Sequence, residues 1–287
     1  MRFIDKSGSE PPYLLTHRLK NKTNNYDTFC YDVGLGSIGG NGLRQDVLNS
    51  QGHLCAFCMC EIPEYPVSEQ DIKIAHWYPQ AGALTNLKQL DITYSNIFGA
   101  CCGGMIRPSK KRNKSEDTCD TKQKSKHLVL NPSNQKHIQL LHYQDDGEIY
   151  CIKIERKILE TSYLNLQKEK GIEDNHTSKT GKETKEFRFD ERNLTVEELK
   201  IAIQYDIEFN LNLNELTIKG ARAGKWKAIS NITKTKFSTK YKGVHLDRKS
   251  KNSFLNAEMR RKLGFESANK YYSFCMVDFY YLQSMIR

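Results

Sequence analysis

At 287 residues, with 38% apolar and 27% charged side chains and a formal net charge of +10, the chain has room for one good core with polar excursions rather than two large cores. The basic surplus favours a polyanionic partner such as nucleic acid over an acidic small molecule. No run of about 18 apolar residues exists, and MRFIDKSGSEPPYLL has no signal core after its charges, so the expectation is a soluble cytoplasmic protein with reduced thiols and no membrane partner.

Residues 1–40, with Pro11-Pro12 and the glycine-rich DVGLGSIGG, read as an extended arm. A helix follows at GLRQDVLNSQG, where Leu43 and Val47 share a face and Gly52 offers a stop. LCAFCMCEI reads as a short apolar hairpin arm, and DIKIAHWYPQ as a strand that ends at Pro79 and delivers His76 to a loop. GEIYCIKI, from Gly147, puts Ile149 and Cys151 on one face and Tyr150, Ile152 and Ile154 on the other, which suits a strand covered on both sides. Residues 168–186 are nearly all polar and read as a solvated insertion without a core contribution. LTVEELKIAI is a helix capped by Thr195, with Glu197 and Glu198 in its first turn. ELTIKGARAGKWKAISNI is a second helix, capped by Asn214 and weakened by two glycines. The aromatic end at 271–287 requires burial against the core or a partner.

Six of the nine cysteines fall between positions 55 and 119, and in a reducing compartment such clustering argues for metal ligation rather than disulfides. Cys55-Ala-Phe-Cys58 supplies two adjacent corners of a zinc tetrahedron. Cys101 and Cys119 supply the other two if residues 102–118 loop out, with Cys60 and Cys102 as rivals for the same corners. The isolated Cys30, Cys151 and Cys275 read as small buried hydrophobes.

Between these half-sites lie IAHWYPQ, then Asn96-Ile97, then Cys119-Asp120, an order that an HNH nuclease displays. Phosphodiester hydrolysis needs a base for the attacking water and a divalent cation on the scissile phosphate. His76 is the candidate base, Asp120 the candidate ligand for Mg²⁺ or Mn²⁺, and Asn96 a candidate to orient the His76 loop through its amide. His127 and Asn131 are outside candidates for the same cleft. Arg107, Lys110, Lys111, Arg112, Lys122 and Lys124 belong to a run of eight basic residues at 107–126 that could hold phosphates. A second run at 234–251 interleaves Phe237 and Tyr241, which could stack on bases or simply belong to a solvated surface. The bland alternatives are a packed histidine and a solvated helix-start acid; the zinc-ligand frame around both residues weighs against them.

The chain resembles the HNH endonuclease subunit of Septu-type and retron-associated anti-phage systems, the PtuB-like proteins. The likeness runs through MRFIDKSGSEPPYLL, QGHLCAFCMCEI, IAHWYPQ, SNIFGACCGG, TCDTKQKSKHLVLNP, DGEIY and LNLNELTIKGAR, and so covers roughly residues 1–235. It implies a bacterial defence nuclease that works with a PtuA-like ATPase subunit and, in retron systems, with a reverse transcriptase and its DNA–RNA product. It also implies His76 as base, Asn96 as supporting residue, Asp120 as ligand of a catalytic Mg²⁺ or Mn²⁺, and Cys55, Cys58, Cys101 and Cys119 as the structural Zn²⁺ set. One position departs: an acid normally precedes the histidine, and here that residue is Ala75. Asp71, Asp91 or His127 could replace that donor, the catalytic metal could bind weakly, or the alanine could mark a disarmed enzyme.

The expected fold is α+β. An N-terminal arm and helix (1–52) precede a zinc-stapled ββα-metal core (53–132) and a mostly helical C-terminal region (133–287). The expected function is cleavage of DNA, or of RNA such as tRNA; the rival is a catalytically silent adaptor that binds nucleic acid or the ATPase.

Overall fold

The opening segment, read from the sequence as an extended arm, instead holds two short helices, α1 (Pro12–Lys20) and α2 (Tyr26–Asp32). Pro12 stands in the first turn of α1, where a missing N–H costs nothing. A capping box joins Asn25 and Thr28 at the start of α2. Leu14 and Phe29 are fully buried beneath them. The computed structural model describes residues 1–8, 10–36, 41–62, 72–80, 89–103, 114–177, 183–242, 248–263 and 274–285.

Helix α3 (Leu43–Gln51) buries Leu43, Val47 and Leu48 and ends on Gly52, whose φ of 62° is the left-handed stop its sequence offers. Strands β1 (Lys73–His76) and β2 (Ile97–Ala100) pair antiparallel, with Ala75 opposite Phe98 and His76 opposite Ile97. Gln51 fastens α3 to this pair: its Nε2 donates to the Gly99 carbonyl at 2.9 Å and its Oε1 accepts from Gly99 N–H at 2.7 Å. Helix α4 (Cys119–Gln123) then packs on β1.

Helix α5 (Gln135–Gln139) leads to a two-residue pairing of β3 (His142–Tyr143) with β4 (Ile149–Tyr150). The strand expected to run to Ile154 stops early, because the Gln204 side chain takes the N–H groups of Cys151 and Ile152 at 2.6 and 3.2 Å. Helix α6 (Arg156–Lys170) follows, and much of the segment read as a solvated insertion forms the hairpin β5 (Ile172–Thr177) and β6 (Glu183–Arg188). Thr195 caps α7 (Val196–Tyr205) in a capping box with Glu198.

Helix α8 (Leu216–Lys240) is longer than its glycines suggest. Its cap is Glu215, which accepts from Thr217 and Ile218 N–H, not Asn214. Asn214 instead bonds both backbone groups of Ile149 at 2.9 Å. Helices α9 (Arg248–Leu263) and α10 (Cys275–Ser284) complete the described chain. Part of the aromatic end belongs to the core: Cys275, Val277, Tyr281 and Leu282 are buried. Its start is anchored where Phe274 N–H donates to the Met59 carbonyl at 3.1 Å. Phe237 and Tyr241 pack their rings around Phe254, with centroids at 5.6 and 5.9 Å, against a small second core. One continuous cluster of buried side chains draws residues from Met1 through Val277.

Candidate metal centre and adjoining histidine site

Cys55, Cys58, Cys101 and Cys119 place their sulfurs within 4.8 Å of one another. The sulfurs lie 3.8 Å apart for Cys55–Cys119, 3.6 Å for Cys58–Cys101 and 3.8 Å for Cys101–Cys119. Sulfurs at the corners of a tetrahedron about 2.3 Å from a zinc ion lie roughly 3.8 Å apart, whereas a disulfide needs about 2.05 Å. The set therefore fits a tetrahedral metal such as zinc. Among the rivals, Cys60 gives its backbone N–H to the Cys58 sulfur at 3.5 Å, and Cys102 uses its carbonyl to accept from Thr121 Oγ1 at 3.1 Å. Burial opposes ionisation, yet hydrogen bonds from Cys101, Cys119 and Cys58 pull the Cys55 thiol well below the ordinary range. Those same contacts help push the Cys119 thiol up, so the four sulfurs need a cation to ionise together.

Two non-glycine residues at this centre adopt left-handed backbone, Met59 at φ 64° and Cys119 at φ 53°. Such conformations persist only where surroundings enforce them. The knuckle turn enforces the first, and the second is held by Cys119 N–H donating to the Leu211 carbonyl at 2.8 Å. Arg222, only 1% exposed, donates to the carbonyls of Gly147 and Leu213 at 2.6 Å and to Asn214 Oδ1 at 3.0 Å. Burial lowers its pKa to about 10, while the thiols of Cys58, Cys60 and Cys119 favour its charge. Gly147, at φ 84°, is required where it stands, since a Cβ would lie 2.0 Å from the Lys219 carbonyl.

His76 ends β1 almost wholly buried, with Tyr26 of α2 edge-on to its ring at 4.6 Å. Its Nε2 lies 2.9 Å from the Asp91 carbonyl. A carbonyl can only accept, so Nε2 carries the proton and the neutral ring keeps its lone pair at Nδ1. Burial lowers the His76 pKa to about 4, against a smaller upward pull from that hydrogen bond. Asn96 closes the loop after His76: its Oδ1 accepts from Tyr78 N–H at 2.6 Å, and its Nδ2 donates to the carbonyls of Tyr78 at 3.0 Å and Leu90 at 3.2 Å. Gln123 ties α4 to the same strand end, donating to the His76 carbonyl at 2.9 Å.

Asp120 stands in the first turn of α4, next to Cys119 of the four-cysteine group. Burial raises its pKa against the pull of Lys73, whose Nζ lies 3.8 Å from Asp120 Oδ2 and 3.0 Å from Thr121 Oγ1. Ala75 is fully buried and gives no donor. Of its three possible substitutes, Asp91 spends its carboxylate on Tyr26 N–H at 2.8 Å. His127 packs edge-on to Tyr78 at 4.5 Å, and Asp71 lies outside the described residues. Asn131 turns its Oδ1 to Ser133 N–H at 2.8 Å. Among the described residues the site thus offers a hard cation one carboxylate, which suffices for Mg²⁺ when water and phosphate oxygens complete the shell. Lys122 and Lys124 lie on and just after α4, whereas Arg107, Lys110, Lys111 and Arg112 fall outside the described residues.

The sequence reading missed Tyr26, the Asp91 carbonyl, Gln123 and Arg222. A backbone acceptor leaves no residue signature. Gln123, three residues after Asp120, was findable only as a polar residue on a helix face that must meet β1.

No family model matches the chain. A protein of Escherichia coli named "Retron Ec83 putative HNH endonuclease" is 28% identical over 105 residues, which is 36% of this chain. The match spans 38% of that protein's length. The likeness is to part of a protein so named, and on this chain it stands beside a mixed helix and small-strand fold carrying a cysteine cluster that could hold a metal. No helix among the described residues is long and apolar enough to cross a membrane.

Proposed function

We propose that this protein is a metal-dependent HNH endonuclease that hydrolyses phosphodiester bonds in DNA or RNA, as the PtuB-like effector of an ATPase-coupled anti-phage complex. The observation that carries the reading is the state of His76: buried and kept neutral, with Nε2 committed to the Asp91 carbonyl. Nδ1 then accepts a proton from the water that attacks phosphorus, while the bond to the leaving oxygen breaks. Asn96 and Gln123 hold the strand end that carries the ring. Asp120 is the carboxylate that would hold Mg²⁺ or Mn²⁺, and when bound the cation supplies Lewis acidity and neutralises charge at the phosphate. A ββα-metal core is the natural reading of β1, β2 and α4, with zinc in the tetracysteine fixing the helix that presents Asp120. Lys122, Lys124 and the basic segment at 107–112 would track the backbone of the strand.

The adaptor reading is favoured by one observation, the alanine at position 75. Plasmid DNA and total tRNA, incubated with the protein and its ATPase in Mg²⁺ or Mn²⁺ against EDTA, separate the two. The expected result is metal-dependent cutting that His76→Ala reduces by about 10² to 10⁴-fold with the fold intact by circular dichroism. No cutting under any trigger would leave the adaptor, and His76→Ala cutting at the unsubstituted rate would remove His76 as the base.

A further inference from the structure

A cavity of about 230 Å³ opens beside the strand end that carries His76. Trp77 and Tyr78, the two residues after His76, form part of its wall, facing Tyr163, Phe187 and Phe189. We propose that this cavity is a nucleobase pocket, which takes one unstacked base of the bound strand and so fixes the neighbouring phosphodiester at His76. The proposal rests on the nuclease reading above and adds a substrate subsite to it.

Its walls suit a flat aromatic ring. Tyr163 is immobilised by a parallel stack on Tyr205 with centroids 3.6 Å apart, and it meets Phe189 edge-on at 5.7 Å. Tyr78 is held edge-on to His127 and by the Asn96 bonds to its backbone. The size is below the roughly 300 to 1,000 Å³ of pockets for drug-sized ligands and fits a single base. The lining also carries hydrogen-bonding groups that an apolar ligand would not use. Arg188 and Glu191 line it, and the carboxylate of Glu191 is positioned by His137 Nε2 at 3.2 Å. Unstacked bases are bound in this way, by aromatic faces plus a few polar edge contacts. The net charge of +10 favours a nucleic-acid strand over a free apolar metabolite as the partner that brings a ring to the cavity.

The chain has two tryptophans, Trp77 and Trp226, so a Trp226→Phe background reports Trp77 alone. The probes are a short single-stranded oligonucleotide with natural bases and the same strand made abasic, both in EDTA so that binding is read without cutting. The expected result is quenching of Trp77 by the natural strand only, with affinity about 5- to 150-fold above that of the abasic strand. Phe189→Ala should erase most of this preference while leaving abasic affinity unchanged. The same ratio, read by anisotropy on the unsubstituted chain, keeps the test independent of how the variants fold. Equal affinity for both strands, or binding of neither, overturns the pocket. Cleavage of a plasmid by the same preparation, assayed in Mg²⁺ or Mn²⁺, tests the nuclease reading separately. Cutting without base preference removes the pocket alone, and base preference without cutting removes the nuclease alone.

Discussion

Removing the tetracysteine metal is expected to unfold more than the knuckles. Cys119 is bonded through its backbone to Leu211, and Met59, inside the first knuckle, accepts the N–H that starts α10. Both connections depend on left-handed residues held next to the sulfurs. A structural zinc site contributes apparent binding energies of about 10 to 16 kcal/mol, comparable with the roughly 5 to 15 kcal/mol of a whole domain. Even if only about 5 kcal/mol of this is expressed as folding stability, the melting temperature should fall by about 10 to 20 °C, at roughly 2 to 4 °C per kcal/mol. The assay is a circular-dichroism melt of the full chain before and after stripping with a strong chelator, with zinc content measured on the same sample. Cys119→Ser in the presence of zinc should reproduce most of the loss, and hydrogen exchange should show α10 losing protection together with the knuckles. Protein that carries no stoichiometric zinc after growth in zinc, or a Cys119→Ser melt within about 3 °C of the parent, would refute the reasoning.

Arg222→Met should cost about 3 to 5 kcal/mol, because two buried carbonyls and the Asn214 amide oxygen lose a charged donor together. Arg222→Lys should not rescue it, since one ammonium cannot reproduce the planar fork; urea midpoints equal to the parent's would be inconsistent with this role. Asp206 predicts a pH effect: burial raises its pKa to about 6 despite hydrogen bonds from Leu130 N–H, Asn210 and Val129 N–H. The unfolded chain releases that proton near pH 3.9 and the folded chain near 6, so the folded state binds more protons between them and stability falls as pH rises through that window. The loss is about 3 kcal/mol at most, and the difference in urea midpoint between parent and Asp206→Asn, followed from pH 4 to 7.5, should expose it. An unchanged difference across that range would sink the assignment.

The parts of this architecture legible in the sequence are those set by short-range rules. The stop at Gly52 and the Thr195–Glu198 box are fixed by residues three or fewer apart, and both are present. The cysteine spacing pointed to a metal cluster for the same reason, although only geometry separated Cys58 from Cys60 and Cys101 from Cys102. Helices α1 and α2 escaped because each is short and keeps a single large apolar side chain fully buried, Leu14 or Phe29, too little for a periodic pattern. The early end of β4 and the reassignment of the α8 cap both follow from side chains reaching across the chain: Gln204 takes the strand N–H groups, and Asn214 takes Ile149. At the candidate site, the imidazole partner is a backbone carbonyl of Asp91, which any residue could have supplied.

The alanine at 75 is better understood together with Lys73. Alternation along β1 puts residues 73 and 75 on one face and residues 74 and 76 on the other. The Lys73 ammonium reaches the first turn of α4, at Thr121 Oγ1 and Asp120 Oδ2. An acid at 75 would leave the strand on that same side, and with Asp120 it would make a pair of carboxylates able to hold a divalent cation against the ammonium. With alanine there, a divalent cation would meet one carboxylate among the described residues, Asp120, and would compete with Lys73 for it. Placing an acid at 75 is not a neutral change either, because the position is fully buried opposite Phe98. An unpaired carboxylate there is tolerated only with a counter-charge. The ammonium of Lys73 and a bound cation are the two candidates for that charge. Whether Ala75→Glu folds equally well with and without Mg²⁺ therefore reports which of them the site uses.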